Sequence, residues 1–183
     1  RYIRTAGNSG DGGITKDFNA AGTFTFPLGV VNYSPAVLTI NGTPASFGSV
    51  TVNPVNFAHP NVTVPGRSLT YFWRVKQSGF DLTGGSATLG FNYAQANVVV
   101  GAGITEDEYI AARFSIPTSS WSKGTTDDVD ETGNVIGEPG SGSFLENVSN
   151  IDGDYTAGDD TPVSPFGTPA TFYSRINGVA PGA

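Results

Sequence analysis

Residues 69–76 read LTYFWRVK, and no other stretch constrains the fold of this chain as strongly. Leu69, Tyr71, Trp73 and Val75 fall on one parity, while Thr70, Arg74 and Lys76 fall on the other. Successive side chains of a strand point to opposite faces, so this run is a strand with one face in the core and the other in water. Residues 86–93, SATLGFNY, repeat the pattern with Ala87, Leu89, Phe91 and Tyr93. The intervening DLTGG is long enough to turn the chain, and residues 69–94 are read as a hairpin of two central strands.

Seven more short runs carry strand character: GTFTF from Gly22 with Phe24 or Phe26 inward, AVLTI from Ala36, GSVTVNPV from Gly48, ANVVV from Ala96, IAARFSI from Ile110, SGSFLENV from Ser141 and ATFYSRI from Ala170. Their spacing of about ten residues is that of a sandwich rather than of alternating strands and helices. Composition points the same way, with 17 Val, 9 Ile and 20 Thr against 6 Leu. Branching at Cβ suits a pleated surface better than a helix. The 25 Gly and 12 Pro supply turns. One helical turn is expected near residues 105–110, where Thr105 and Glu108 have capping-box spacing. The expected fold is thus all-β, an antiparallel β-sandwich of Ig-like or jelly-roll-like type, with at most that single turn. Residues 1–183 form one domain, with linker-like or strand-exchange termini at about 1–13 and 177–183.

The residue inventory removes several kinds of chemistry. Without Cys there is no disulfide, thiol nucleophile or thiolate metal site, and one His rules out a multi-histidine zinc centre. A net charge of -7 argues against nucleic acid as a partner, because phosphate-backbone binding needs clustered Lys and Arg. No stretch reaches the roughly 18 apolar residues of a membrane helix, and no membrane span is expected. No basic start followed by an apolar run marks a signal peptide. The chain begins with Arg and is read as a mature or excised piece of a secreted precursor.

Charge is divided unevenly along the chain. Residues 1–100 carry 6 basic and 3 acidic side chains, net +3, whereas residues 101–183 carry 3 basic and 13 acidic, net -10. Such a concentration of acids has to be solvated, neutralised by a cation or aimed at something positive. The segment NIDGDYTAGDD offers Asp152, Asp154, Asp159 and Asp160, and calcium takes six to eight oxygens from carboxylate-rich loops. The spacing is not that of an EF-hand: counted from Asn150, Tyr155 stands where Gly is required. Calcium at these four aspartates is weighed against solvated surface loops.

No catalytic residue is assigned. His59, in FAHPNVT, is read as a loop or strand-end residue, and no Gly-x-Ser-x-Gly elbow accompanies it. An acid within an apolar strand, the setting that raises a carboxyl toward general-acid duty, is not evident; Glu146 in SFLENV comes closest. Trp121, among the polar and turn residues of PTSSWSKG, is the candidate for glycan binding, against a packing role beneath a loop. Sequons at Asn41, Asn61 and Asn147 do not decide the compartment.

Five phrases, RYIRTAGNSG, TFTFPLG with YSPAVLTI, LTYFWRV, GDYTAGDD and TFYSRINGVA, occur in an order that resembles the repeat-type β modules of very large secreted surface proteins of Bacteroidota, cargo of the type IX secretion route. The resemblance implies a stalk-like or adhesive module. Its matching positions, among them Phe26, Pro27, Gly29, Tyr71, Trp73, Val75, Tyr155, Gly158, Tyr173 and Arg175, are architectural. The resulting expectation is a non-enzymatic structural or adhesive module of an exported bacterial cell-surface protein or extracellular filament. Its partners are neighbouring copies or adjacent modules, and a carbohydrate-binding module recognising surface glycans is the alternative.

Overall fold

The computed structural model describes residues 1–101, 103–137, 143–161 and 163–167. Two antiparallel sheets face each other across one core. In chain order the strands are β1 (Ile3–Arg4), β2 (Ile14–Asp17), β3 (Gly22–Phe26), β4 (Leu28–Gly29), β5 (Ala36–Gly42), β6 (Ser49–Val55), β7 (Phe72–Ser78), β8 (Gly85–Asn92), β9 (Tyr109–Ser115), β10 (Ser120–Lys123), β11 (Val129–Asp130), β12 (Val135–Ile136) and β13 (Gly153–Asp159). The first sheet runs β10-β9-β13-β7-β6-β2 and the second β11-β12-β8-β5-β3. A two-residue parallel pairing joins β1 to β4, with Ile3 opposite Leu28. This is the all-β sandwich that period-two burial leads one to expect.

The inward parity of LTYFWRVK is as expected, but its other face is not all in water, since Phe72 is buried and Arg74 half-buried. Leu69, Tyr71, Trp73 and Val75 are all buried in the core, as are Ala87, Leu89, Phe91 and Tyr93. The two runs do not form a hairpin, however. β7 pairs with β6 and β13 in the six-stranded sheet, while β8 pairs with β5 and β12 in the five-stranded one. The connection at 79–84 crosses between sheets. Each strand carries a row of large apolar side chains, and facing rows fill the space between two sheets better than neighbouring rows in one sheet. Trp73 meets Phe91 at 5.1 Å between ring centres, and Phe91 stacks on Tyr155 at 4.9 Å. The Trp73 indole N–H is buried with them and donates to the Ser34 carbonyl at 3.0 Å.

Some candidate strands are placed differently. ANVVV begins with a 3-10 turn over Gln95–Asn97 and joins neither sheet. Of SGSFLENV, residues 143–148 form turns with one bridge, Val148 to Ala87. ATFYSRI lies outside the described residues, as do residues 177–183. The expected helical turn occurs at Glu106–Glu108, yet the Thr105 side chain does not cap it. Among the described residues three further 3-10 turns occur, at Pro65–Arg67, Gln95–Asn97 and Thr126–Asp128. In the last, the Thr125 N–H donates to the Asp128 carboxylate at 2.6 Å.

The largest departure concerns GDYTAGD. Read as part of an acid-rich loop, it is β13, inserted between β7 and β9, and all seven of its residues are buried. Gly and Asp are depleted in strands, so local propensity argues against this assignment. Packing prevails because small residues are needed here. A Cβ on Gly158 would come within 2.5 Å of the Arg67 carbonyl oxygen.

Candidate functional site

Strands buried on one face only would leave the outer face of the six-stranded sheet wet. That face instead carries a second cluster. Phe72 on β7, Ile110, Ala112 and Phe114 on β9 and Trp121 on β10 point outward, and the loops at 56–68 and 163–167 lie over them. Those loops are joined by the Thr63 N–H, which donates to the Pro165 carbonyl at 2.8 Å.

Beneath them sits His59, only 2% exposed. Its ring lies 4.8 Å from Phe72, 4.8 Å from Phe114 and 4.9 Å from Trp121. The Asn61 N–H donates to His59 Nδ1 at 3.2 Å, which places the proton of a neutral ring on Nε2, and that nitrogen faces Asp154 Oδ2 at 3.0 Å. With both nitrogens engaged inside the fold, His59 has none left for a nucleophile. The ring fastens a loop to the sheet.

Asp154 is the centre of this network. It lies opposite Arg74 in the β13–β7 register, and the guanidinium donates to both carboxylate oxygens, Nε to Oδ1 at 2.8 Å and Nη2 to Oδ2 at 2.6 Å. Burial by itself would push this carboxyl up, but the hydrogen bonds from Arg74 and His59 and the charge of Arg74 hold it below the usual carboxylate range. At the far end of the strand Asp159 is handled in the same way. Burial acts upward and is outweighed by the Arg67 guanidinium, paired at 2.7 Å, and by N–H groups of Thr161 and Thr105.

The four aspartates nominated for calcium are therefore not brought to one point. Asp154 pairs with Arg74, Asp159 with Arg67 and Asp160 with Lys123 at 3.2 Å, while Asp152 accepts the Gln77 N–H at 2.5 Å. Among the described residues no three His, Asp or Glu side chains gather as metal ligands would. The cations that meet Asp154 and Asp159 come from the basic first half of the chain.

No acid inside an apolar strand is evident from the sequence, and Glu146, which comes closest, lies half-buried in a turn region. The buried strand acids are Asp154 and Asp159, both 1% exposed. Their signal was the alternation at Asp154, Thr156 and Gly158 around Tyr155 and Ala157, masked by the glycines.

Trp121 is partly buried on the edge strand β10, opposite Phe114. Its indole N–H donates to the Asn61 carbonyl at 3.2 Å, and its ring lies 4.9 Å from Phe166 and 5.1 Å from Phe114. It thus packs beneath loops, the packing role weighed against glycan binding, and also borders a hollow of about 180 Å³ whose lining includes Asn61, Phe114, Ser119, Ser120 and Phe166. Aromatic rings and polar side chains share this concavity.

Compared with protein-family models, with curated proteins and with solved structures, the chain finds no match.

Proposed function

We propose that this chain is a non-enzymatic structural or adhesive module of an exported bacterial surface protein or filament, and that copies associate through the outer edge of β3. What supports the association is the contrast between the sheet edges. An edge strand offers unpaired N–H and C=O groups, and proteins commonly blunt such edges with charge or by keeping them short. β2 carries Lys16 and Asp17, β10 carries Lys123, and β11 has two residues, one of them Asp130. β3, Gly-Thr-Phe-Thr-Phe, is five residues long and has no charge.

The parity of its backbone is set by β1, since the carbonyls of Pro27 and Gly29 accept from the Ile3 and Thr5 N–H groups, whereas Leu28 accepts from Ser34 on the inner side. Odd positions therefore turn outward. Thr23 and Thr25 present their backbone groups to the edge, so a second copy can pair antiparallel with Thr23 opposite its own counterpart. Such an isologous contact closes on itself as a dimer. The non-enzymatic part of the reading rests on the buried network, where Asp154, Asp159 and His59 are each engaged in holding the fold.

Sedimentation velocity over a range of concentrations tests the association. Wild type is expected to shift toward a dimer as concentration rises, and Thr23→Lys with Thr25→Lys to remain monomeric with an unchanged circular dichroism spectrum. Ser122→Lys, on the already charged edge β10, is expected to behave as wild type. A wild type that stays monomeric throughout, or a lysine pair that dimerises equally well, overturns it.

A further inference from the structure

We propose that the hollow beside Trp121 binds a single neutral hexopyranose, the terminal residue of a glycan chain. The walls are the rings of Phe114, Trp121 and Phe166, with centroid separations of 5.1 and 4.9 Å. A pyranose has a flat face of C–H groups and a periphery of hydroxyls, so it needs an apolar wall with hydrogen-bonding groups at the rim. The rim here is Asn61, Ser119 and Ser120. The Asn61 side-chain amide and the Ser119 hydroxyl take part in no hydrogen bond among the described residues, and Asn61 is exposed. An amide offers both donor and acceptor, as does a hydroxyl, which matches the dual character of a sugar OH.

Size and charge narrow the class. At about 180 Å³ the hollow is smaller than the roughly 300 Å³ at which drug-sized pockets begin, so it takes one ring rather than an extended chain. Lys123, two residues along β10 from Trp121, is held by Asp160 at 3.2 Å and Ser164 Oγ at 3.3 Å, and Asp154 is neutralised by Arg74. No unpaired charge lines the hollow among the described residues, which favours a neutral sugar over a uronate. The wall is also held in place before any ligand arrives. The Trp121 indole is fixed by its bond to the Asn61 carbonyl and by His59 at 4.9 Å, so little ordering cost falls on binding.

This site lies on the six-stranded sheet and the β3 edge on the five-stranded one, so either can fail without the other. The test is titration of the whole chain with the methyl glycosides of glucose, galactose, mannose and N-acetylglucosamine, followed by tryptophan fluorescence and by the indole N–H resonances. One or more is expected to bind with a millimolar Kd and to shift the Trp121 indole signal while leaving that of the buried Trp73 in place. Asn61→Ala is expected to weaken binding about tenfold, equivalent to about 1.4 kcal/mol, without altering the melting temperature. Trp121→Phe, which keeps a ring against His59, is expected to weaken it as well. No shift with any of the four glycosides overturns the proposal, as does binding that both variants leave unchanged or that moves only Trp73. Chromatography of the sugar after prolonged incubation should recover it intact; release of a product would overturn the non-enzymatic reading instead.

Discussion

Arg74 and Asp154 stand directly opposite each other on adjacent antiparallel strands, and the guanidinium grips both carboxylate oxygens at 2.8 and 2.6 Å. The pair joins residues 80 positions apart and ties the basic half of the chain to the acidic half. Without Arg74, β13 would place an unneutralised carboxylate at a position 1% exposed.

Removing one member of a buried pair leaves the other charge without its partner, which generally costs about 3–5 kcal/mol. Asp154→Ala is expected to destabilise the fold by that order, because Arg74 and His59 both lose their acceptor. Urea unfolding followed by circular dichroism measures it. A midpoint equal to that of wild type would show that the ion pair is incidental to β13.

Acid should weaken the fold through the same strand. Asp154 and Asp159 both lie below the usual carboxylate range in the folded chain, so their stabilisation is complete above the unfolded value near about 4 and is lost as pH falls through the folded values. Stability is expected to be level from neutrality to about pH 5 and to drop below pH 4. In Asp154→Asn combined with Asp159→Asn the drop should be shallower. Parallel pH profiles for the variant and wild type would place the acid sensitivity elsewhere.

Alkali acts with the opposite sign. Burial pushes the Tyr109 hydroxyl up to about 12, and Tyr71, Tyr93 and Tyr155 are raised still further by the same cause. The folded state keeps these phenols protonated, so their contribution is whole below the unfolded value of about 10 and declines as pH rises from there toward the folded values. Tyrosinate absorbance should therefore appear in two stages, the exposed phenols first and the buried ones together with loss of circular dichroism. A single stage with no unfolding would mean that the buried phenols are reached by solvent.

Gly158 is in β13 because its neighbour leaves no room for a side chain. An added Cβ would approach the Arg67 carbonyl oxygen to 2.5 Å and Ser68 Cα to 2.9 Å, both backbone atoms that cannot swing aside. Gly158→Ala is expected to cost about 1–3 kcal/mol, although alanine lowers the entropy of the unfolded chain. The melting temperature checks this. A variant as stable as wild type would mean that the 65–68 segment shifts freely.

Much of the architecture was legible because burial with a period of two is a local property. Leu69, Tyr71, Trp73 and Val75 could be set inward from their order alone, as could Ala87, Leu89, Phe91 and Tyr93, and the existence of two apolar faces in need of each other followed. Partnership between strands was less legible. Alternation says which way a side chain points, and it is silent on whether the next run lies alongside or across the core, so the order of residues suggests a hairpin where β7 and β8 in fact face one another from opposite sheets.

Residue order alone dictates an all-β chain with inward rows of aromatic and β-branched residues, with charge divided between a basic first half and an acidic second half. It takes the folded chain to show that Arg74 and Arg67 of the first half meet Asp154 and Asp159 of the second. An aspartate that follows a glycine favours a loop when judged by its neighbours in sequence, and it becomes part of a central strand when an arginine 80 residues away supplies the opposite charge. His59 and Trp121 came to share a cluster for the same reason: pairing of distant segments sets their surroundings, and nothing in FAHPNVT or PTSSWSKG records it.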